Sequence, residues 1–161
     1  MNDITSGASA SSVATHRASS AESFWVVGDR VSLRGQLAGT DLHVVDVEVP
    51  PGSGTPPHTH AYAEIFRVLQ GTLRIWSLAD GVPQEIDAGP GDVITIPAHA
   101  PHAYRNAGTT PAVFMAIVNG QAVRFFQAMA SSEPVVGPPG PDVVGRIMAL
   151  TAEHGVKMLA A

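Results

Sequence analysis

Residues 52–71 of this chain read GSGTPPHTHAYAEIFRVLQG. The imidazoles of His58 and His60 and the carboxylate of Glu64 stand at offsets of zero, two and six from the first histidine. Because side chains alternate between the two faces of an extended chain, these even offsets place all three on one face, together with Tyr62. The spacing predicts that one extended segment delivers three potential metal ligands to one point.

A second segment, residues 91–106, reads GDVITIPAHAPHAYRN and supplies His102 on a later predicted strand. Pro97 marks a turn just before that strand, since proline cannot donate to a sheet ladder. Burying imidazoles and a carboxylate in an apolar barrel is costly without a cation. A metal-free barrel whose polar groups merely satisfy one another is therefore the weaker alternative.

The two segments resemble the two sequence motifs of the cupin family. The first matches G(X)5HXH(X)3–4E(X)6G at every fixed position, and the second matches G(X)5PXG(X)2H(X)3N with one departure. That departure is His99, which stands where the family usually has glycine. Histidine is among the residues that tolerate a left-handed backbone, so we expect His99 to serve as a turn residue rather than to contact the metal shell or substrate.

The resemblance runs from about residue 24 to residue 159 and is greatest to small, single-domain cupins similar to quercetin dioxygenase. It implies an all-β fold, a cupin-type antiparallel β-barrel (double-stranded β-helix or jelly roll) with short C-terminal helices. It also implies one divalent transition metal ion, Fe, Mn, Ni, Co or Zn, held by His58, His60, Glu64 and His102. By the same resemblance, Glu64 is the catalytic base as well as a ligand.

The lining of the substrate pocket is predicted from strand parity and from the position of one tryptophan. Tyr62 and Phe66 share the parity of the ligands on the first segment, and Tyr104 shares that of His102. Inward-facing aromatic residues also serve as barrel core, so both roles stay open for these three. Trp25, near the start of the barrel, either caps the pocket mouth or packs.

Composition agrees with an all-β fold, because 16 glycines and 13 prolines in 161 residues suit short strands joined by turns. We predict nine strands between residues 25 and 118, followed by helices at 122–129 and 141–154. The predicted organisation is a flexible N-terminal tail at 1–23, the barrel at 24–118, and a C-terminal helical segment at 119–161 that packs on the barrel.

Composition also excludes several classes of function. The absence of cysteine rules out thiolate catalysis, disulfides and Cys-ligated metal. A net charge of −5 with scattered basic residues offers no footprint for nucleic acid or an anionic membrane surface. No secretory signal or membrane-spanning run is recognisable, so we expect a cytoplasmic, soluble protein without a membrane or nucleic-acid partner.

Three functions remain open at this stage. The first is a dioxygenase that uses dioxygen to cleave a flavonol, enol or polyphenol-like small molecule. The second is a non-redox isomerase, lyase or polyketide cyclase, and the third is a non-catalytic cupin that binds a small ligand.

We expect a homodimer, because single barrels expose strand edges that a second copy covers. His16, His43 and His154 lie outside the motifs and are expected to be surface or structural residues.

Overall fold

Alternating burial along the strands shows why this sequence forms sheets. The computed structural model describes residues 11–159. In the strand Ala112–Asn119, every second residue is buried, beginning with Ala112 and including Phe114, which is 1% exposed. The strand Glu64–Gln70 shows the same alternation over its first five residues. Such a period of two buries one face of each strand against a shared core.

The described residues form eleven strands and two α-helices. In chain order they are β1 (Ser23–Val26), β2 (Asp29–Gln36), β3 (Leu42–Val49), β4 (His58–Thr59), β5 (Glu64–Gln70), β6 (Leu73–Ala79), β7 (Val82–Ala88), β8 (Val93–Ile96), β9 (His102–Arg105), β10 (Ala112–Asn119), α1 (Gly120–Met129), α2 (Pro141–Glu153) and β11 (Lys157–Met158).

The strands build two sheets in which every pairing is antiparallel. One sheet has the order β1-β2-β3-β10-β5-β8, and the other has the order β11-β4-β9-β6-β7. Inward side chains from both sheets form one apolar cluster, in which the rings of Phe66 and Phe114 lie 4.6 Å apart between centroids. The predicted all-β fold with C-terminal helices is confirmed.

The turn between β5 and β6 requires glycine at position 71, the last fixed position of the first motif. Gly71 has φ +70°, and a Cβ atom there would lie 2.8 Å from Cα of Ala112 and 2.9 Å from the carbonyl oxygen of Pro111. Only glycine meets both the left-handed backbone and this close approach. The motif glycine therefore lets the hairpin pack tightly against the start of β10.

All nine predicted strands are present, but β4 and β11 were missed. Each is two residues long, too short to show any alternation. Helix α1 begins two residues before its predicted start, because the side chain of Asn119 caps it by accepting a hydrogen bond from the backbone N–H of Ala122. Helix α2 begins at Pro141 as predicted, with proline in the first turn where its missing N–H costs nothing.

The predicted tail at 1–23 lies partly outside the described residues, since the description begins at residue 11. Within the described part, Ala18–Ser20 forms a short 3-10 helix and Ser23 already begins β1. Helix α1 places Ala122 and Val123 in the apolar cluster. The division of the chain at residues 23 and 118 stays a prediction. Among the described residues, no helix combines the length and the apolar character needed to cross a membrane.

Candidate metal centre

Three histidines meet where two short strands pair. His58 lies in β4 directly opposite His102 of β9, and their ring centroids are 4.3 Å apart. His60 follows β4 immediately, with its ring 5.5 Å from that of His58 and 4.9 Å from that of His102. One ring nitrogen from each of the three lies within 4.8 Å of the other two. This spacing suits three ligands of a single metal ion.

The carboxylate of Glu64 approaches the histidines from the other sheet. Glu64 is the first residue of β5 and pairs with Ile96 of β8. Its Oε2 lies 3.2 Å from Nε2 of His60 and 3.4 Å from Nε2 of His102. Glu64 thus contacts two of the three clustered histidines, and the two sheets both contribute side chains here. Whether all four hold one ion stays a prediction.

The prediction that one extended segment carries His58, His60 and Glu64 is wrong, although the three side chains do lie near one another. The strand breaks after Thr59 and resumes at Glu64, and residues 60–63 cross from one sheet to the other. Strand parity alone therefore does not explain the convergence. The crossing explains the convergence, because it carries the chain from the sheet that holds His58 to the sheet that holds Glu64.

Backbone carbonyl groups fix the tautomer of all three imidazoles. Nδ1 of His58 lies 2.8 Å from the oxygen of Pro56, Nδ1 of His60 lies 2.8 Å from that of Tyr62, and Nδ1 of His102 lies 2.9 Å from that of Ala100. A carbonyl oxygen only accepts, so each Nδ1 carries the proton and donates. A ring whose Nδ1 is engaged in this way turns Nε2 away from the backbone, the arrangement found at metal-ligating histidines.

The buried surroundings of the cluster fit a cation. His60 and His102 are 3% and 4% exposed, Glu64 is 7% exposed, and Nε2 of His60 is buried without a hydrogen-bond partner. Burial, followed by the nearby His102, lowers the pKa of His58 to about 4. An unpartnered buried nitrogen is costly, and a metal ion would satisfy it. The residues present therefore suit a divalent ion with mixed nitrogen and oxygen donors.

Glu64 is an anion throughout the neutral pH range. Burial by itself would raise its pKa, but the neighbouring His102 and His60 outweigh burial and bring the pKa down to about 2. The two contacts with these histidines are longer than the usual 2.7–2.9 Å of a charge-assisted hydrogen bond. The carboxylate therefore lies beside Nε2 of His60 and Nε2 of His102 without a short hydrogen bond to either. A cation bound between these atoms would be held by all three.

The predicted aromatic residues occupy different positions relative to the histidines. Tyr62 stacks on His60, with ring centroids 3.8 Å apart and planes inclined by 9°. Burial and then the charge of Glu64 raise the pKa of Tyr62, so its phenol stays protonated. Phe66 lies in the apolar cluster and Tyr104 packs against it edge to face, with centroids 6.1 Å apart. Whether any of the three contacts a substrate stays a prediction.

Trp25 lies in the edge strand β1. Its backbone N–H and carbonyl group exchange hydrogen bonds with Ser131, in the segment between the helices. Its strand neighbours Phe24 and Val26 pack against the apolar cluster, so the alternation of the strand turns Trp25 to the other side. A capping role for Trp25 stays a prediction.

Sequence reasoning missed a buried carboxylate that anchors Tyr104. Asp29, 5% exposed, accepts hydrogen bonds from the hydroxyl groups of Tyr104 at 2.7 Å and Ser53 at 2.5 Å. Burial raises the pKa of Asp29, and the two hydrogen bonds partly offset that rise. Through Asp29, the start of β2 is thus bonded both to β9 and to the loop that precedes β4. No local signal in the sequence marks Asp29, because its partners lie 24 and 75 residues away.

His99 adopts the backbone conformation that the sequence suggested for it. It has φ +64°, a left-handed conformation, and its backbone N–H donates to the carbonyl oxygen of His60 at 2.7 Å. Its side chain is exposed. His99 therefore serves as the turn residue expected from the motif, and the turn is hydrogen-bonded to the histidine segment.

Comparison with known proteins agrees with this fold. Residues 45–118 match the family model described as Cupin domain. The chain is 37% identical over 82 residues to germin-like protein 4-1 of Oryza sativa subsp. japonica, covering 47% of this chain and 32% of that protein. It is 34% identical over 87 residues to quercetin 2,3-dioxygenase of Bacillus subtilis (strain 168), covering 53% of this chain and 25% of that protein.

A solved structure extends the likeness beyond sequence. KdgF from Halomonas sp. superposes with a TM-score of 0.58 at 18% identity, covering 69% of this chain and 99% of that one. At that identity the likeness shows the fold alone. The chain spans about a quarter to a third of the length of the two curated relatives named above. Residues 45–118 therefore form a cupin domain.

Proposed function

We propose that this protein is a metal-dependent enzyme that uses dioxygen to cleave a flavonol, enol or polyphenol-like small molecule. One observation carries the proposal. Three clustered imidazoles donate through Nδ1 to backbone carbonyl groups, the carboxylate of Glu64 lies beside two of them, and Nε2 of His60 is buried and unpartnered. Similarity to quercetin 2,3-dioxygenase supports the choice of reaction over a stretch of 87 residues.

His58, His60, His102 and Glu64 would hold the ion. When bound, a divalent transition metal supplies Lewis acidity and ligand positions open to exchange, since four protein ligands leave one or two positions on a five- or six-coordinate ion. Iron, manganese, cobalt, nickel and zinc all accept such donors. The chain's own residues then determine orientation and proton movement.

Glu64 is placed to take a proton from an enol or phenol hydroxyl group whose own pKa a bound ion would lower. That lowering is needed, because a carboxylate with a pKa of about 2 is by itself a weak base. It is ionised at neutral pH, and its position at the start of β5 is held by strand pairing with Ile96. Tyr62 stays protonated and holds the ring of His60 by stacking, so it acts as a positioning residue rather than as a base. A carboxylate held this rigidly can act on a bound hydroxyl without reorganising.

A substrate would reach the cluster from the side of His58. His58 is half-buried, whereas His60 and His102 are almost fully buried. Two cavities among the described residues, one beside β2 and β3 and one beside β6 and β9, are lined by none of the four predicted ligands. A planar molecule that approaches beside His58 would meet Glu64 only after entering between β4 and β5, which would exclude water from the reacting atoms.

Oxygen uptake is the decisive measurement. Protein purified without added metal is analysed for metal content, then stripped and reconstituted with Fe, Mn, Co, Ni and Zn in turn. Each form is assayed in an oxygen electrode with a panel of flavonols, enols and catechols. We expect at least one metal form to consume oxygen and substrate in equal amounts.

Matched variants separate metal loss from general damage. His102→Ala is expected to lose bound metal, whereas His154→Ala, outside the cluster, is expected to retain it. Product formation without oxygen consumption would overturn the dioxygenase proposal in favour of an isomerase, lyase or cyclase. Tight binding of a panel member without turnover would favour a ligand-binding cupin.

A further inference from the structure

A second concave site lies away from the histidine cluster. An open cavity of about 650 Å³ is lined by residues 15–21, β2, β3 and the first turns of α1. It shares no lining residue with the cluster formed by His58, His60, Glu64 and His102. Its volume lies within the range of pockets that hold small organic ligands. The proposed dioxygenase function makes no use of it.

The cavity is lined by positive charge in an otherwise acidic chain. The protein carries a net charge of −5, yet three of its nine lysine and arginine residues line this cavity: Arg17, Arg34 and Arg124. Asp41 is the one carboxylate among the lining residues. Clustering of guanidinium groups in a concave site raises the local concentration of anions.

Positive charge exceeds negative charge at the cavity by one group. Nε of Arg34 donates to Asp46 at 2.6 Å. Within residues 11–159, the side chains of Arg17 and Arg124 form no hydrogen bond or ion pair. Asp41 lies beside Arg124, since a Cβ atom at Gly120 would meet Oδ1 of Asp41 at 2.5 Å and Nη1 of Arg124 at 3.2 Å. Three guanidinium groups therefore face two carboxylates, those of Asp41 and Asp46.

A bulge and a glycine in β2 leave space for His16, which lies in the segment 15–21 that lines one side of the cavity. The pairing of β2 with β3 shifts register between Leu33 and Gly35, which marks a bulge at Arg34. The imidazole of His16 lies over Gly35 so closely that a Cβ atom there would come within 2.7 Å of Cδ2 of His16. Glycine at position 35 therefore makes room for His16, which lines the cavity together with His43.

The lining combines polar and aliphatic side chains. Thr15, Ser20, Gln36 and Gln127 are polar, whereas Leu33, Val44, Val45 and Val123 contribute aliphatic surface. An inorganic anion would leave this surface in contact with water, whereas an organic acid would cover it and bring a carboxylate to the arginines. We propose that this cavity binds a small organic carboxylate with an apolar or aromatic body, at a site separate from the metal centre.

Calorimetric titration with three probes tests the proposal. Benzoate supplies a carboxylate on an aromatic ring, benzyl alcohol supplies the ring without the charge, and inorganic phosphate supplies the charge without the ring. We expect benzoate to bind at least tenfold more tightly than either of the others. Arg124→Gln should weaken benzoate binding about tenfold or more, in line with the loss of one charge-assisted pair.

The controls locate the effect. Arg30→Gln, an exposed arginine on β2 outside the cavity, should leave benzoate affinity unchanged. Gly35→Ala should weaken benzoate binding by displacing His16. Metal content should be unchanged in Arg124→Gln, Arg30→Gln and Gly35→Ala. The His102→Ala protein should bind benzoate as the parent does, because the site is independent of the metal centre.

Several results would overturn the inference. These are no binding of benzoate at millimolar concentration, equal affinity in Arg124→Gln, loss of binding in His102→Ala, or preference for phosphate. A change of oligomeric state in Arg124→Gln without benzoate binding in the parent would identify the cavity as part of a contact between copies of the chain instead.

Discussion

Backbone carbonyl groups two residues away set the chemistry of each histidine in the cluster. Pro56 and Ala100 precede their histidines by two positions, and Tyr62 follows His60 by two. These short-range bonds hold each ring with Nε2 free, whatever the distant parts of the chain do. The motif spacing thus encodes ring orientation as well as residue type.

Replacement of Glu64 by Gln separates its two proposed roles. The amide cannot take a proton, so turnover should fall by about two to four orders of magnitude. Three imidazoles remain, so most of the metal should stay bound. Turnover by oxygen uptake and metal content by mass spectrometry check the two expectations.

The matched control for Glu64 is Glu85→Gln, an exposed carboxylate on β7 that lies 3.7 Å from Arg105. It should leave both turnover and metal content unchanged. Survival of activity in Glu64→Gln would show that this carboxylate is not the base.

Replacement of His99 by Gly should stabilise the fold slightly. Relief of the left-handed backbone is worth roughly 1–2 kcal/mol, and the extra freedom of the unfolded chain takes back about 0.4–1 kcal/mol. The free energy of unfolding, measured by denaturant titration of metal-free protein, should rise by about 0.5–1 kcal/mol.

Ala98→Gly is the neighbouring control, because Ala98 has an ordinary negative φ. It should lower stability, since only the entropic cost of glycine applies. Loss of turnover in His99→Gly with metal content intact would instead give the His99 side chain a role with the substrate.

At the scale of elements, two very short strands support the metal centre. Strand β4 carries His58 between β9 on one side and β11 on the other, and Met158 of β11 lies opposite His58. The backbone N–H of Leu159 donates to the carbonyl oxygen of Pro57. The C-terminal strand thus protects the edge of the strand that holds a ligand.

Removal of that last bond should loosen the site. Leu159→Pro lacks the N–H that reaches Pro57 and should speed metal loss to a chelator by about tenfold, the low end for lost support around a ligand. Leu159→Ala keeps the N–H and is expected to behave like the parent. Equal rates of metal loss in the two variants would show that β11 does not support His58.

At the scale of the whole molecule, exposed strand edges and apolar side chains favour association. Ile65, Leu69 and Val93, on the neighbouring strands β5 and β8, are 41%, 46% and 58% exposed. Strand β8 is an edge of its sheet. A second copy that covers such an edge removes unpaired backbone groups and apolar surface from water together.

We therefore predict a homodimer at micromolar concentration. Sedimentation equilibrium should give the mass of two chains, and the fitted mass should not depend on whether metal is bound. A mass equal to one chain over the accessible concentration range would contradict this prediction.

The sequence by itself determined the fold class, nine of the strands, both helices and the residues of the histidine cluster. These follow from alternation, turn residues and motif spacing, which are local properties of the chain. His99 is one case, because its turn conformation could be expected from its position in the second motif.

Only the tertiary structure decided how the cluster is assembled and what else surrounds it. The crossing between sheets at residues 60–63, the pairing of β11 with β4, and the contact of Asp29 with Tyr104 join residues far apart in sequence. The cavity lined by Arg17 and Arg124 likewise joins residues that are far apart in sequence. Such contacts depend on which sheet each strand joins, and that choice is made by packing of the whole core rather than by any local pattern.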